Sequence, residues 1–216
     1  LSTDASGNYS TERGLNTLRK YATMFGLDRP SGIEISEAQP ELTTEDPERS
    51  AMGQGTNSYT NVQLSRYVTA IANRGTVFDL TLLDHVTDYE GNTILDNHAE
   101  VKNEVKLASS TWDAVHQGMR NVVAYSAGSG ELINRINVHV AGKTGTAQES
   151  EVKPDHALFI SYAPYESPEV SVTCVIQNGY SSANARELAG FIYAYMYDPD
   201  KLVGAEMSGS ATPSQD

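Results

Sequence analysis

The sequence predicts an α+β domain in which helices pack on a mainly antiparallel sheet. Apolar residues recur at helical spacing in four separate segments. Three strand-like runs follow one another between residues 137 and 177, an order that is typical of antiparallel pairing. The chain of 216 residues is also long enough to bury a core of its own.

Two helices and a long loop are predicted in the first third of the chain. The first helix covers residues 11–25, with Ser10 as its N-cap and Gly26 just after its end. Residues 27–50 are polar and contain three prolines, which predicts a structured loop. The second helix covers residues 60–73, where apolar side chains recur on one face.

A hairpin and a third helix follow. Between residues 77 and 95, two β-rich runs flank the turn sequence Tyr-Glu-Gly-Asn at 89–92, which predicts a β-hairpin. Ser-Thr-Trp-Asp at 110–113 has the form of a capping box and predicts the start of a helix over 109–123. The glycine- and serine-rich segment 124–136 is predicted to be a flexible loop.

The last third of the chain is predicted to form the main sheet and a final helix. The strands are expected at residues 137–147, 157–163 and 169–177. The helix covers residues 184–197. We therefore expect one domain over residues 1–200, followed by a disordered polar tail over 201–216.

The composition excludes several classes of partner. The chain has 28 acidic and 15 basic residues and a formal net charge of −13, which argues against nucleic-acid binding and against an anionic membrane surface. It has no apolar run long enough to span a bilayer, so we expect no membrane contact by this segment. The five histidines do not have the spacing of metal ligands, and Cys174 is predicted to be an inert core thiol.

The best candidate for chemistry is the sequence Lys143-Thr144-Gly145-Thr146 on the first strand of the main sheet. A strand edge offers backbone groups to an extended peptide, and Gly145 allows that peptide to approach closely. Lys143 supplies a positive charge, and the threonine hydroxyls can donate to a carboxylate. Alone, this tripeptide is a weak indication, because it arises by chance in about one chain in twenty or thirty of this size. The alternative is an exposed strand with a solvated lysine.

The sequence Val-Ala-Gly-Lys-Thr-Gly-Thr-Ala-Gln at 140–148 resembles the third active-site motif of penicillin-binding protein transpeptidases. That family combines a Ser-x-x-Lys nucleophile motif, a Ser-x-Asn motif and a Lys-Thr-Gly strand. Other segments resemble the family in the same order, so that the likeness covers about residues 10–197. They include residues 21–33, 51–55, 63–75, 112–123 and 156–164.

The resemblance implies a part of a serine D,D-transpeptidase that binds penicillin and cross-links cell-wall stem peptides. Lys143 and Thr144 would hold the terminal carboxylate of the substrate, and the backbone N–H of Thr146 would be one oxyanion donor. The family implies no metal and no organic cofactor. Its partners would be peptidoglycan stem peptides and β-lactams. It implies a position at the extracytoplasmic face of the bacterial cytoplasmic membrane, with an N-terminal anchor that is absent from this sequence.

The other two motifs of the family are not found in their expected order. The only Ser-x-x-Lys is Ser150 to Lys153, which lies after the Lys-Thr-Gly strand and in a loop. The Ser-x-Asn matches at residues 6–8 and 182–184 lie in a polar loop and at a helix start. Since the chain begins Leu1-Ser2-Thr3, we expect the nucleophile to lie in a missing N-terminal part of the same domain. We expect the chain alone to be inactive.

Two other functions remain open at this point. A non-catalytic penicillin-recognising sensor module would have the same strand without the nucleophile. A serine β-lactamase would share the sheet and the Lys-Thr-Gly sequence, although residues 53–75 look more like a transpeptidase. The preceding part of the gene would distinguish the sensor, and turnover of a β-lactam would distinguish the β-lactamase.

Overall fold

The computed structural model describes residues 2–127, 130–149, 152–209 and 211, and it confirms the predicted combination of helices and antiparallel sheet. The chain divides into two compact units. The N-terminal unit contains residues 1–70 and 74–106, and the C-terminal unit contains residues 71–73 and 107–216. Among the described residues, no helix combines the length and the apolar character that crossing a membrane requires.

The N-terminal unit contains three helices, of which two were predicted. They are α1 (Thr11–Met24), α2 (Pro47–Ala51) and α3 (Asn61–Ala72). Ser10 caps α1 as expected, since its Oγ accepts a hydrogen bond of 3.2 Å from the Arg13 N–H. Helix α2 begins inside the predicted loop, where the Asp46 carboxylate accepts from the Arg49 N–H at 3.1 Å.

A capping box starts helix α3 rather than the helix for which the sequence predicted one. The Thr60 N–H donates to Gln63 Oε1 at 2.9 Å, and the Gln63 N–H donates to Thr60 Oγ1 at 3.2 Å. The predicted box at 110–113 is wrong. Helix α4 (Ser109–Asn121) begins at the predicted residue 109, so Ser110 already lies inside the helix, and the N-cap is Ala108 without a side-chain hydrogen bond.

The N-terminal unit also contains two small antiparallel sheets. Their strands are β1 (Thr76–Asp79), β2 (His85–Thr87), β3 (Thr93–Asp96) and β4 (Glu100–Glu104). Strands β2 and β3 form the predicted hairpin, whose turn is closed by the Asp88 N–H donating to the Asn92 carbonyl at 2.9 Å. Strand β1 pairs instead with β4. Strand β4 was missed because its sequence, Glu-Val-Lys-Asn-Glu, has only one apolar residue.

A buried arginine organises the chain after helix α1. The Arg66 side chain is 1% exposed and donates from Nη1 to the Pro30 carbonyl at 2.7 Å. Its Nη2 donates to the carbonyls of Gly26 and Arg29. The Asp79 carboxylate lies 3.7 Å from Nη1 and faces the positive charge. Because one side chain binds three carbonyls of this loop, residues 26–30 have a defined path without regular secondary structure.

The C-terminal unit consists of α4, a three-stranded sheet and a long final helix. Its strands are β5 (Ala141–Ala147), β6 (His156–Ala163) and β7 (Val170–Ile176), and its last helix is α5 (Ser182–Tyr197). All pairings are antiparallel, in the order β5-β6-β7. Helix α4 continues into a π-helical turn at Val122–Ser126. The predicted flexible loop at 124–136 includes residues 128 and 129, which lie outside the described residues.

The first strand of this sheet is shorter than predicted, because it begins at Ala141 rather than at residue 137. The His139 carbonyl accepts from the Tyr165 N–H at 2.8 Å, and the Val140 carbonyl accepts from Arg120 Nη1 at 3.1 Å. These carbonyls are bonded to a loop amide and a helix side chain, so the alternating apolar pattern before Ala141 does not correspond to strand pairing.

The core of the C-terminal unit lies between the sheet and helix α5. Its apolar members include Phe159 on β6 and Ala185 and Ala189 on α5. One polar chain crosses this core. The Tyr193 hydroxyl donates to Ser161 Oγ at 3.1 Å, and Ser161 Oγ donates to the Val172 carbonyl at 3.1 Å. The buried hydroxyl groups are thereby satisfied, as a low-dielectric interior requires.

Part of the predicted tail has described contacts. A 3₁₀ turn covers Pro199–Leu202, and Ser208 donates from its N–H and its Oγ to the Glu187 carboxylate at 2.8 and 2.9 Å. Residues 210 and 212–216 lie outside the described residues. The single domain over 1–200 and the disordered tail over 201–216 therefore stay predictions.

Candidate active site

The Lys-Thr-Gly-Thr sequence lies in the middle of β5, which is an outer strand of its sheet. Within the described part of the chain, β5 pairs with β6 alone. The register pairs Lys143 with Ile160, Thr144 with Phe159, Gly145 with Leu158 and Thr146 with Ala157. Because successive side chains alternate between the faces of a strand, Lys143 and Gly145 share one face and Thr144 and Thr146 share the other.

Lys143 is the most exposed member of this sequence. Its side chain lies at the surface, whereas the three residues after it are half-buried. The ammonium Nζ donates to the carbonyl of the next residue, Thr144, at 2.5 Å. The positive charge therefore stays beside the strand edge, where a negatively charged group can meet it.

Two glycines of β5 differ in what surrounds them. A Cβ built on Gly142 would lie 2.7 Å from Phe159 Cε2 and 3.0 Å from the Ile160 carbonyl oxygen, so internal packing requires a glycine there. A Cβ built on Gly145 would meet no atom closer than Leu158 Cβ, at 3.5 Å. That distance is an ordinary van der Waals contact. Internal packing therefore does not require Gly145 to be a glycine.

The beginning of β5 is fastened from two sides. On one side, Arg120 of helix α4 donates to the Val140 carbonyl. On the other side, the loop after β6 binds both the backbone carbonyl and the side chain of His139. His139 Nδ1 lies 2.5 Å from Glu166 Oε1, and this hydrogen bond lowers the pKa of Glu166. The His139 side chain lies mostly exposed beside the strand.

The end of β5 is fastened by a residue that sequence reasoning did not assign to the site. His156 is the first residue of β6 and pairs with Ala147, the last residue of β5. Its Nδ1 lies 3.0 Å from the Asn178 backbone nitrogen, and its Nε2 lies 2.9 Å from Glu149 Oε2. This histidine lies in the segment 156–164 that resembles the family, but that resemblance gave it no role, because its role depends on contacts between segments that are distant in sequence.

The structure gives local roles to the two Ser-x-Asn matches. Asp4 accepts from the Ser6 N–H at 2.8 Å and from the Asn8 side-chain amide at 3.1 Å, which closes a surface turn. Ser182 is buried at the start of α5, and Asn184 donates to the Gly179 carbonyl at 2.8 Å. The Ser-x-x-Lys match depends on Ser150, which lies outside the described residues. Among those described, no group of three or more metal-ligating side chains is present.

The fold and the outer Lys-Thr-Gly strand match one class of protein, the penicillin-binding transpeptidases. A model of the family described as penicillin binding protein transpeptidase domain matches residues 6–195, so the chain belongs to this family. Peptidoglycan D,D-transpeptidase MrdA of Haemophilus influenzae is 30% identical over an alignment that covers 84% of this chain and 33% of that protein. Penicillin-binding protein 2A of Bacillus subtilis is 28% identical over 190 residues, which cover 79% and 26%. The chain thus spans a third or less of these relatives.

Solved structures confirm the fold. The D,D-transpeptidase domain of a peptidoglycan glycosyltransferase from Eggerthella lenta superposes with a TM-score of 0.71 at 21% identity, covering 86% of this chain and 48% of that one. Penicillin-binding protein A from M. tuberculosis, solved as an imipenem acyl-enzyme complex, also gives a TM-score of 0.71, at 24% identity, covering 88% and 45%. The α+β class and the family resemblance inferred from the sequence are both confirmed.

Proposed function

We propose that this chain supplies the substrate-binding strand of a serine D,D-transpeptidase that cross-links peptidoglycan stem peptides and is acylated by penicillin. The observation that carries the proposal is the placement of Lys143 and Gly145 on the same face of an outer strand. Gly145 leaves open space beside the strand, although internal packing does not require a glycine there. Lys143 places a cation two residues away. An extended peptide with a terminal carboxylate fits this combination.

In the proposed reaction, a serine oxygen attacks the carbonyl of the D-Ala-D-Ala peptide bond. That bond breaks, the terminal D-alanine leaves with a proton on its amine, and an acyl-enzyme ester remains. The amine of a neighbouring stem peptide then attacks the ester, which forms the cross-link and returns the serine. We propose that the serine and its lysine belong to another part of the same domain, N-terminal to these residues.

The residues of β5 would bind the negatively charged groups of the substrate and of the transition state. Lys143 would pair with the terminal carboxylate of the substrate, an interaction that is strong where water is excluded. The Thr146 backbone N–H would donate to the oxyanion, and one such donor contributes about 3–4 kcal/mol to transition-state stabilisation. Thr144 is less favoured as a carboxylate ligand, because the register places its side chain on the opposite face from Lys143.

The proposed reaction requires no metal and no organic cofactor, because attack, proton transfer and oxyanion stabilisation all use protein groups. Its substrate, peptidoglycan, is assembled outside the cytoplasmic membrane of bacteria. We therefore propose that the enzyme acts at the extracytoplasmic face of that membrane, anchored by an N-terminal segment of the whole protein.

Acylation by a fluorescent penicillin tests the proposal. In the full-length protein, Lys143→Ala is expected to lower the acylation rate by about a hundredfold or more, because the carboxylate loses its cation. Lys143→Arg is expected to be poor as well, since a planar fork does not replace a compact ammonium. Lys106→Ala removes an exposed lysine of the N-terminal unit and serves as the control.

Four results would contradict parts of this proposal. Acylation of Lys143→Ala at the wild-type rate would place Lys143 outside the site. A stoichiometric penicillin adduct on residues 1–216 alone, found by intact-mass analysis, would place a nucleophile within this chain. Rapid release of hydrolysed β-lactam by the full-length protein would instead assign it as a β-lactamase, and complete absence of acylation would favour the non-catalytic sensor module.

A further inference from the structure

His156 connects three segments that meet at the end of β5. It begins strand β6, it faces the chain that leaves β5 at Glu149, and it meets the turn between β7 and α5 at Asn178. Its side chain is 20% exposed, so that most of the ring is enclosed by these segments. The exposed pair of His139 and Glu166 at the other end of β5 has no such third partner among its described hydrogen bonds.

The hydrogen bonds define the protonation of the ring. A backbone N–H can only donate, so His156 Nδ1 must accept from Asn178 and carries no proton. The remaining ring proton is then on Nε2, which donates to the Glu149 carboxylate. His156 is thus a neutral imidazole that accepts from one segment and donates to another.

The turn that holds Nδ1 is itself hydrogen-bonded to the residue before β6 and to helix α5. Asn178 has a left-handed φ of 52°, a conformation that asparagine tolerates better than most residues. The Tyr180 N–H donates to the Asp155 carbonyl at 3.1 Å, and the Asn184 side chain of α5 donates to the Gly179 carbonyl at 2.8 Å. The ring of His156 is therefore held against a hydrogen-bonded turn, and through Glu149 it holds the exit of β5.

The exit of β5 needs such a support. Since β5 pairs with β6 alone among the described strands, its last residues have sheet hydrogen bonds on one side only. Ala147 is the last paired residue, and Thr146 comes directly before it. The bond between His156 and Glu149 closes the chain around this last pair, so it resists separation of the strand end from β6.

We propose that His156 is a positioning residue that fixes the backbone N–H of Thr146 by holding the exit of β5 through Glu149. This inference rests on the proposed function, in which that N–H stabilises the oxyanion. Displacement of a catalytic group by about 1 Å can cost about a hundredfold in rate. Loss of the His156–Glu149 bond is therefore expected to slow acylation while leaving the first, reversible binding of the β-lactam nearly unchanged.

Stopped-flow acylation of the full-length protein separates these two steps. His156→Ala is expected to lower the acylation rate constant by about tenfold to a hundredfold, because a catalytic N–H is misplaced. The dissociation constant of the first, reversible complex should change less than about twofold. Glu149→Ala is expected to have a similar effect, and the double variant no more than either alone. His98→Ala, which removes an exposed histidine paired with Asp96 in the N-terminal unit, is the matched control and should acylate normally.

Two conservative variants distinguish positioning from general support of the fold. His156→Gln can reach Glu149 with its amide and should recover most of the rate. His156→Asn can accept from Asn178 but is too short to reach Glu149, so it should stay slow. If Asn restores the rate and Gln does not, His156 supports the turn alone, and the proposal is wrong.

Amide hydrogen exchange gives a readout without activity. Peptides that contain residues 144–149 should exchange faster in His156→Ala and Glu149→Ala than in wild type or His98→Ala. Unchanged exchange there would overturn the proposal. If wild type is acylated, Lys143→Ala is not and His156→Ala behaves as wild type, this inference fails while the proposed function stands. If wild type is not acylated, both fail.

Discussion

Gly142 lies directly against the ring of Phe159 across the β5–β6 pair, with no room for a Cβ between them. Phe159 is fully buried in the core beneath α5 and cannot withdraw. Gly145, three residues further along the same strand, has an open approach instead. The two glycines of β5 are therefore glycines for different reasons. Packing requires Gly142, whereas Gly145 leaves room for what the strand is proposed to bind.

Alanine substitutions separate these causes. Gly142→Ala is expected to destabilise the protein by about 1–3 kcal/mol, because it overpacks the core against Phe159. Gly145→Ala is expected to change stability little but to lower the rate of acylation by penicillin at least tenfold, since its methyl group would occupy the space of the ligand. Urea unfolding and acylation kinetics measure the two effects. Equal acylation by wild type and Gly145→Ala would remove the ligand from this face of β5.

Arg66 is expected to be essential for the stability of the N-terminal unit. Arg66→Met leaves the carbonyls of Gly26, Arg29 and Pro30 without their donor, at a cost of about 2–5 kcal/mol. Arg66→Lys keeps the charge but not the fork, so it should recover only part of the loss. Urea unfolding provides the measurement, with the exposed Arg13→Met as control. A loss below 1 kcal/mol would mean that water replaces the guanidinium.

Glu37 links the loop after α1 to the start of α3. It accepts from the Ser31 N–H at 2.7 Å, from Ser31 Oγ at 2.8 Å and from Thr60 Oγ1 at 2.7 Å. Burial of the carboxylate alone would raise its pKa. The hydrogen bonds from Ser31 and Thr60 outweigh burial and hold the pKa of Glu37 below its usual value.

This lowered pKa predicts a pH-dependent contribution to stability. Because the folded pKa is below the unfolded one, the contribution is present above the unfolded value of 4.5 and is lost as the pH falls through the folded value. Glu37→Gln should therefore be less stable than wild type at pH 7, and the difference should shrink below pH 4.5. Urea unfolding from pH 7 to about pH 3 measures it. A difference that is constant with pH would contradict the assignment, and Glu41→Gln at an exposed position is the control.

Cys174 is expected to be chemically silent in the native protein. Desolvation raises the pKa of its thiol to about 11, so that only about one thiol in a thousand is ionised at pH 8. The side chain is also buried beneath helix α5. Titration with Ellman's reagent should find no reactive thiol in the native chain and one after denaturation in guanidinium. Rapid reaction of the native protein would show that β7 opens readily.

Local patterns were enough to predict every α-helix described except α2, and most of the strands. Ser10 and Gly26 delimit α1 because capping and helix termination involve only neighbouring residues. The position of the Lys-Thr-Gly sequence on a strand and the resemblance to the family were also predicted from the sequence. The capping box was assigned to Ser110 rather than to Thr60, because the residue pattern does not reveal at which residue the backbone enters the helix.

The remaining features depend on contacts between segments far apart in the chain. Strand β4 forms because β1 offers it a partner, although its own residues are polar. Gly142 is required by Phe159, and His156 holds Glu149 only because Asn178 is brought beside it. The residues proposed for the chemistry could be identified from the sequence. The contacts that hold them in place form only when distant segments meet in the folded chain.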